Sequence, residues 1–226
     1  YPNGLPGYGP VGFNASLAST DRAGWNDTKD QVFNSKLTFE WDMDWLTQGL
    51  GMMGVASYDY NFNNDELLRK TWNLWTYDVE DQEYLKEMGK ISEVQSYSDL
   101  RKRRDHSWSQ FYNLRLEYSR SFGDHNVDGF IAYEQDEGYW ERLNGYRRDL
   151  LSFEKIDMFA ASTNQQEVTG ESSESGRVNY FTSIGYDYKR KYLFDFTFRR
   201  DGSFNFAEGQ RFGNFPSIAL GWTISK

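Results

Sequence analysis

Asp42 and Asp44 stand two residues apart, one of several carboxylate pairs whose spacing could suggest acid and base. In an extended segment that spacing puts both carboxylates on one face. Acid catalysis would also require one of them to be held protonated by burial or by its neighbour. On a wet strand face a structural or permeation role needs no such shift, and no catalytic residue is expected here. His106 and His125 are the only histidines, and cysteine is absent, so neither a zinc site nor a Ser-His-Asp relay has its ligand spacing. Both histidines are expected in loops. Asn61, Asn63, Asp65 and Glu66 lack the glycine and distal glutamate of a calcium loop. No metal and no cofactor is expected.

Gly7-Tyr-Gly9-Pro-Val-Gly12 fits the dinucleotide expression G-x-G-x-x-G, but nothing strand-like precedes it and Pro10 interrupts it, so a loop is expected. Arg101-Lys-Arg-Arg104 resembles a nucleic-acid patch, yet acids crowd the same region: Asp65, Glu66, Asp78, Glu80, Asp81, Glu83 and Glu87. A solvated loop or a salt-bridged rim explains the run better. The net charge of -9 agrees, because a nucleic-acid partner requires a basic face. Trp72, Trp75, Tyr77 and Tyr84 are the residues best suited to a ligand. Flat aromatic faces beside Asp, Asn and Glu can stack on sugar rings, or equally can pin a long loop or meet a partner protein.

These residues hang on an unusual scaffold. Only 38% of the chain is hydrophobic, but 8 Trp, 16 Tyr and 17 Phe make up 18% of it. No run of 18 apolar residues occurs, which excludes a membrane-spanning helix but not a barrel strand that alternates its two faces. Phe33, Ser35, Leu37, Phe39, Trp41, Met43 and Trp45 interleave with Asn34, Lys36, Thr38, Glu40, Asp42 and Asp44 in a strict period of two. That is longer than the typical ~5–6-residue globular strand. It fits the roughly 9–11 residues that cross a bilayer at a tilt. The pattern recurs at 50–61, 112–119, 127–134, 177–188, 192–199 and 217–225.

The alternation assigns a polar, lumen-facing set: Lys36, Glu40, Asp42, Arg115, Glu117, Asp128, Glu134, Arg177, Asp195 and Arg199. The connections are alternately short, around Gln48, Asp124 and Arg190, and long, at about 62–107, 136–175 and 202–213. Outer-membrane barrels have that asymmetry, with short periplasmic turns and long extracellular loops. It places Tyr1 to Gln31 outside as an extracellular loop and strands and loops over 32–226. Trp45, Tyr118, Phe122, Tyr188 and Tyr192 then mark an interfacial girdle beside the short turns. The expected fold is all-β: an antiparallel up-and-down transmembrane β-barrel segment of about seven long strands, an incomplete barrel. A soluble all-β glycan-binding module, with the aromatic rows packed between two sheets, is the alternative, and a glycoside hydrolase a third.

Toward the C-terminus a set of motifs appears in order: Arg177-Val-Asn-Tyr-Phe181, Lys191-Tyr-Leu-Phe194, Arg199-Arg-Asp-Gly-Ser203, Arg211-Phe-Gly-Asn-Phe-Pro-Ser217 and Gly221-Trp-Thr-Ile-Ser225. Gly123-Asp-His-Asn126 with Gly129 and Tyr133-Glu134 joins them. In order and spacing they resemble the barrel of SusC/RagA-type TonB-dependent outer-membrane transporters of Bacteroidetes. Phe204-Asn205 departs from the Ser-Arg-Phe of many members, and Phe212 stands where Trp is common. The resemblance implies residues 1–226 as part of one receptor barrel domain, with the plug domain and signal peptide absent. It also implies a location in the bacterial outer membrane and transport without catalysis. The partners it implies are TonB (through the missing N-terminal parts), outer-membrane lipid, a SusD-like surface lipoprotein, and an oligosaccharide or peptide substrate.

Overall fold

The computed structural model describes residues 1–8, 14–88 and 97–224. Among them, one turn of helix, α1 (Ala15–Ala18), precedes a nearly all-strand chain. The strands are β1 (Gly24–Asp42), β2 (Leu50–Arg69), β3 (Asn73–Asp78), β4 (Glu83–Met88), β5 (Asp99–Phe122), β6 (His125–Arg148), β7 (Gln166–Tyr188), β8 (Tyr192–Ser203) and β9 (Phe212–Trp222). Seven of them form one sheet in the order β1-β2-β5-β6-β7-β8-β9, antiparallel and up-and-down, with β1 and β9 not paired to each other. β3 and β4 form a separate antiparallel hairpin inserted between β2 and β5.

The short turns fall where the sequence put them. β5 and β6 are joined by Gly123 and Asp124 alone, and Gly123 takes a φ of 62° that other residues reach only with strain. Strand lengths differ from expectation. β5 and β6 run 24 residues each and β7 runs 23, so most of the supposed loops at 62–107 and 136–175 are strand. β1 likewise begins at Gly24, inside the expected loop 1–31. In Gln166 to Gly176 both faces are polar, so no alternation betrays the strand. Backbone pairing to β6 holds it instead, since β8 pairs with β7 only from Arg177 onward.

His106 therefore lies within β5 and His125 opens β6, neither in a loop, and Asn61 to Glu66 lie in β2. Gly9 to Gly12 of the glycine motif, and Ser225, lie outside the described residues.

The chain divides into two compact units. The first comprises Tyr1–Gln31, Phe62–His106 and Glu141–Glu171. It holds the buried apolar side chains found among the described residues: Leu68, Leu74 and Leu100, fully buried, with Trp72 and Ala161. Each buried leucine contributes roughly 1.5–3 kcal/mol. Gly7 pairs with Trp75, through Tyr8 N to Trp75 O (2.9 Å) and Trp75 N to Pro6 O (3.0 Å), tying the N-terminal segment to the hairpin.

The second unit comprises Val32–Asn61, Ser107–Trp140 and Ser172–Lys226. It has no such core. The register of β7, β8 and β9 builds continuous rows across three strands: Ile184, Phe196 and Ile218; Tyr186, Phe194 and Leu220; Tyr188, Tyr192 and Trp222. Their side chains point away from protein, with Ile218 66% and Leu220 80% exposed. Phe33, Leu37, Phe39 and Trp41 on β1, and Tyr112 and Leu114 on β5, are exposed in the same way. An exposed apolar surface this continuous needs a nonaqueous neighbour. The soluble alternative required these rows to interlock with a second sheet, and within this unit none covers them.

Candidate functional site

The opposite face of the second unit carries the charges. On β8 Asp195, Thr197 and Arg199 alternate with Phe194, Phe196 and Phe198, so they share the face away from the aromatic rows. Glu40, Asp42, Arg115, Glu117 and Asp128 come together around a concavity of about 820 Å³. Gly51, Gly129 and Ser183 keep its floor low. Arg115 is its cation; its Nε lies 3.3 Å from Glu117 Oε2 and its guanidinium 4.0 Å from the Phe130 ring centroid. Asp44 joins the lining as well, so carboxylates outnumber the arginine and the concavity is acidic. A side chain at Gly185 would run into the Asp128 carboxylate, its Cβ 2.7 Å from Oδ1. Only glycine leaves that carboxylate its place.

The remaining members of the polar set stand apart from this concavity. Arg177 Nη2 meets Asp136 Oδ1 at 3.3 Å, Asn179 Nδ2 donates to Glu134 Oε1 at 3.1 Å, and Arg199 Nη2 meets Asp201 Oδ2 at 3.0 Å. Lys36 is exposed on β1.

In the first unit a polar ladder crosses five strands. Thr28 Oγ1 donates to Asp65 Oδ1 (2.8 Å), and Arg103 bridges Asp65 (3.6 Å) and Asp105 (3.4 Å). Arg142 then binds Asp105 (2.7 Å) and Glu171 (3.7 Å). The Asp105 hydrogen bond raises the Arg142 pKa above its ordinary value, with burial opposing. All four residues of Arg101-Lys-Arg-Arg104 are engaged: Arg101 with Asp99, Lys102 with Glu66, Arg103 as above, and Arg104 with Asn64 Oδ1. The salt-bridged reading of that run holds, in a strand rather than a loop. Asp99, Arg69, Asp105 and Arg142 were not singled out in the sequence, because no spacing along one strand reveals a pair made between two.

The four aromatic candidates divide. Trp72 is 8% exposed, a packing residue rather than an open face. Trp75 is half-buried in β3. Tyr77 and Tyr84 face each other across the hairpin in register, rings 5.0 Å apart, and Tyr1 meets Tyr84 edge-on at 5.3 Å. All three tyrosines are exposed, at 46% for Tyr1, beside the acidic tip of Asp78, Glu80, Asp81 and Glu83. His106 Nδ1 lies 3.4 Å from Glu141, and His125 Nδ1 is 2.7 Å from the Tyr186 hydroxyl. Among the described residues no group of three or more His, Asp or Glu side chains is arranged to hold a metal ion.

No protein-family profile matches the chain. Curated relatives do. The TonB-dependent receptor P39 of Formosa agariphila is 34% identical over 126 residues, 51% of this chain and 12% of the relative. The TonB-dependent receptor SusC of Bacteroides thetaiotaomicron is 31% identical over 115 residues, 51% of this chain and 11% of the relative. The match thus spans about a ninth of the relatives' own length. The RagAB peptide importer in its closed-closed state superposes with a TM-score of 0.66 at 16% identity, covering 85% of this chain and 20% of that one. Its open-open state gives 0.65. The chain is similar in sequence to SusC-type TonB-dependent receptors and has the fold of the RagA-type outer-membrane barrel wall; these are receptors and importers, not enzymes.

Proposed function

We propose that this chain forms part of the wall of an outer-membrane, TonB-dependent nutrient importer, and that the nutrient is an oligosaccharide delivered with the help of a SusD-like surface lipoprotein. The observation that carries the proposal is the division of the second unit into an exposed apolar face and a charged face, which suits a strand set with lipid on one side and water on the other. Lys36, Glu40, Asp42, Arg115, Glu117, Asp128, Glu134, Arg177, Asp195 and Arg199 then line the water-filled side. The acidic concavity favours a neutral or cationic solute over a polyanion, since an anion entering it meets like charge.

Tyr77, Tyr84 and Tyr1 are the candidates for contact with substrate or lipoprotein. Stacking on a sugar ring needs an exposed flat face with hydrogen-bonding groups beside it, which the hairpin tip provides. The RagAB structure that shares the fold is that of a peptide importer, so a peptide is the competing substrate class.

Growth decides between them. A strain lacking the full-length receptor is compared with its parent on neutral oligosaccharides, uronate-containing or sulfated glycans, and peptides as sole nutrient. The proposal expects growth to fail on a neutral oligosaccharide and to return with the intact gene, but only weakly with Tyr77→Ala/Tyr84→Ala. Unimpaired growth on every glycan with failure on peptides overturns the oligosaccharide assignment.

A further inference from the structure

At the short turns of the second unit the cations are deployed differently from those of the first. Arg69, Arg101, Lys102, Arg103 and Arg142 each meet a carboxylate. Arg120, Arg190 and Lys191 make no ion pair among the described residues. Two of the three lie over aromatic rings instead: Arg120 is 4.8 Å from the Phe122 ring centroid and Lys191 5.8 Å from that of Tyr192. Those rings are themselves exposed, at 47% and 50%.

The nearby carboxylates are committed elsewhere. Asp187 accepts both contacts from Asn126 Nδ2 (2.9 and 3.0 Å) and the Arg190 backbone N–H (2.9 Å). Asp124 lies 3.5 Å from Lys189 Nζ, and Lys189 in turn sits over Tyr188 at 5.3 Å. Neither carboxylate of these two turns is thus left to pair with the side chains of Arg190 and Lys191. The three-residue turn runs against the preference of its backbone: Lys189 and Arg190, the central pair closed by Lys191 N–H to Tyr188 O at 3.0 Å, hold φ of 55° and 52°, where such a pair favours Asn-Gly. Long cations occupy positions for which the backbone alone would select small residues.

We propose that Arg120, Arg190 and Lys191, with the rings of Phe122 and Tyr192, form a docking surface for the phosphate headgroups of anionic phospholipid. Side chains of this kind lay their stems and neighbouring rings in the acyl boundary and present N–H donors to the phosphate plane. Arg120 and the β7–β8 turn are separated by the width of β6, on the order of 10 Å at the usual strand spacing, a distance that one or two headgroups bridge. The inference rests on the reading that the aromatic rows meet lipid, and it adds a chemical preference within that lipid.

The full-length receptor is reconstituted in phosphatidylcholine bilayers containing a small fraction of phosphatidylglycerol, with bromine on the acyl chains of one lipid or the other, and tryptophan fluorescence is followed. Quenching by brominated phosphatidylcholine tests whether the rows meet lipid. Quenching by brominated phosphatidylglycerol beyond its mole fraction tests the docking surface. The expected result is an enrichment of at least about five-fold, the value for a single cation beside an anionic headgroup at roughly 1 kcal/mol, that falls to near unity in R120Q/R190Q/K191Q. The triple variant should still be quenched by brominated phosphatidylcholine like the wild type, which shows that it folds and inserts.

Quenching by both lipids in proportion to their abundance overturns the docking surface and leaves the barrel reading intact. No quenching by either overturns both. Enrichment abolished by inorganic phosphate but not by chloride at equal ionic strength assigns the surface to free phosphate and overturns the lipid.

Discussion

Arg69 holds Asp99 by two contacts at once, Nε to Oδ1 at 2.7 Å and Nη2 to Oδ2 at 2.8 Å, and the Asp99 carboxylate is wholly buried. The hydrogen bond to Asp99 raises the Arg69 pKa above its ordinary value, against the opposing effect of burial. β2 and β5 are thereby joined beside Leu68 and Leu100, in the core of the first unit.

Removing one partner of such a pair leaves a buried charge. Arg69→Met is expected to destabilise the first unit by about 3 kcal/mol, the low end for breaking a buried pair, because Arg101 Nε remains 3.4 Å from Asp99. Hydrogen exchange at Leu100 in the full-length receptor checks it. Exchange should quicken in Arg69→Met and slow again in Arg69→Met/Asp99→Leu; an unchanged rate in the single variant refutes the role given to the pair.

Ile218 lies in the middle of the row with Phe196 and Ile184. If that row meets hydrocarbon, Ile218→Arg costs about 2–4 kcal/mol of stability in lipid, whereas Asp195→Asn on the opposite face costs far less. Urea unfolding in lipid vesicles measures both. Equal, small effects would place the row in water.

Tyr146 titrates late. Burial above all, with the Tyr97 hydrogen bond and the Asp99 charge behind it, pushes its pKa up to about 12. A raised folded-state value means that the contribution to stability is whole below about 10, the unfolded value, and is lost as pH rises through about 12. The wild-type minus Tyr146→Phe difference in tyrosinate absorbance should therefore show a step near 12. A step near 10 contradicts the burial argument.

Gly49 closes the β1–β2 turn with φ of 89°, and its carbonyl accepts from Ser119 N at 2.8 Å. A Cβ there would collide with the Ser119 carbonyl. Gly49→Ala is expected to cost at least about 1–2 kcal/mol and to slow assembly of β1 onto the sheet. Gly123→Ala, with open space around it, should cost less despite its own positive φ. Heat-modifiable gel mobility of the two variants ranks them.

How much of this was legible in the sequence follows from what water does to alternation. Where Tyr192, Phe194, Phe196 and Phe198 alternate with Leu193, Asp195, Thr197 and Arg199, two unlike surroundings write a period of two into the residues, and the strand was found with its faces. Where both faces are polar, as in Glu171 to Ser175 of β7, nothing in composition separates strand from loop. The polar set on the second unit is assigned by parity alone, its members alternating along the strands with the apolar rows. The ladder from Thr28 through Arg142 was not legible, because its cross-strand rungs, Thr28 to Asp65 and Asp105 to Arg142, each join residues 37 apart whose register only the assembled sheet determines. The hairpin β3–β4 was read as loop although Trp75 and Tyr77 alternate, since six-residue strands leave too little pattern to see.

The rows from Val178 beside Gly202 to Tyr188 beside Tyr192 span ten residue steps of β7. At ~3.4 Å per residue and a tilt near 45° that is a vertical height of about 24 Å, shorter than the ~30 Å of an average bilayer interior. A protein with so low a belt is matched to a thin membrane. Thicker acyl layers would have to pinch toward it, at a fraction of a kcal/mol for every ångström of mismatch, so chain length of the surrounding lipid becomes a variable that tunes where such a molecule settles.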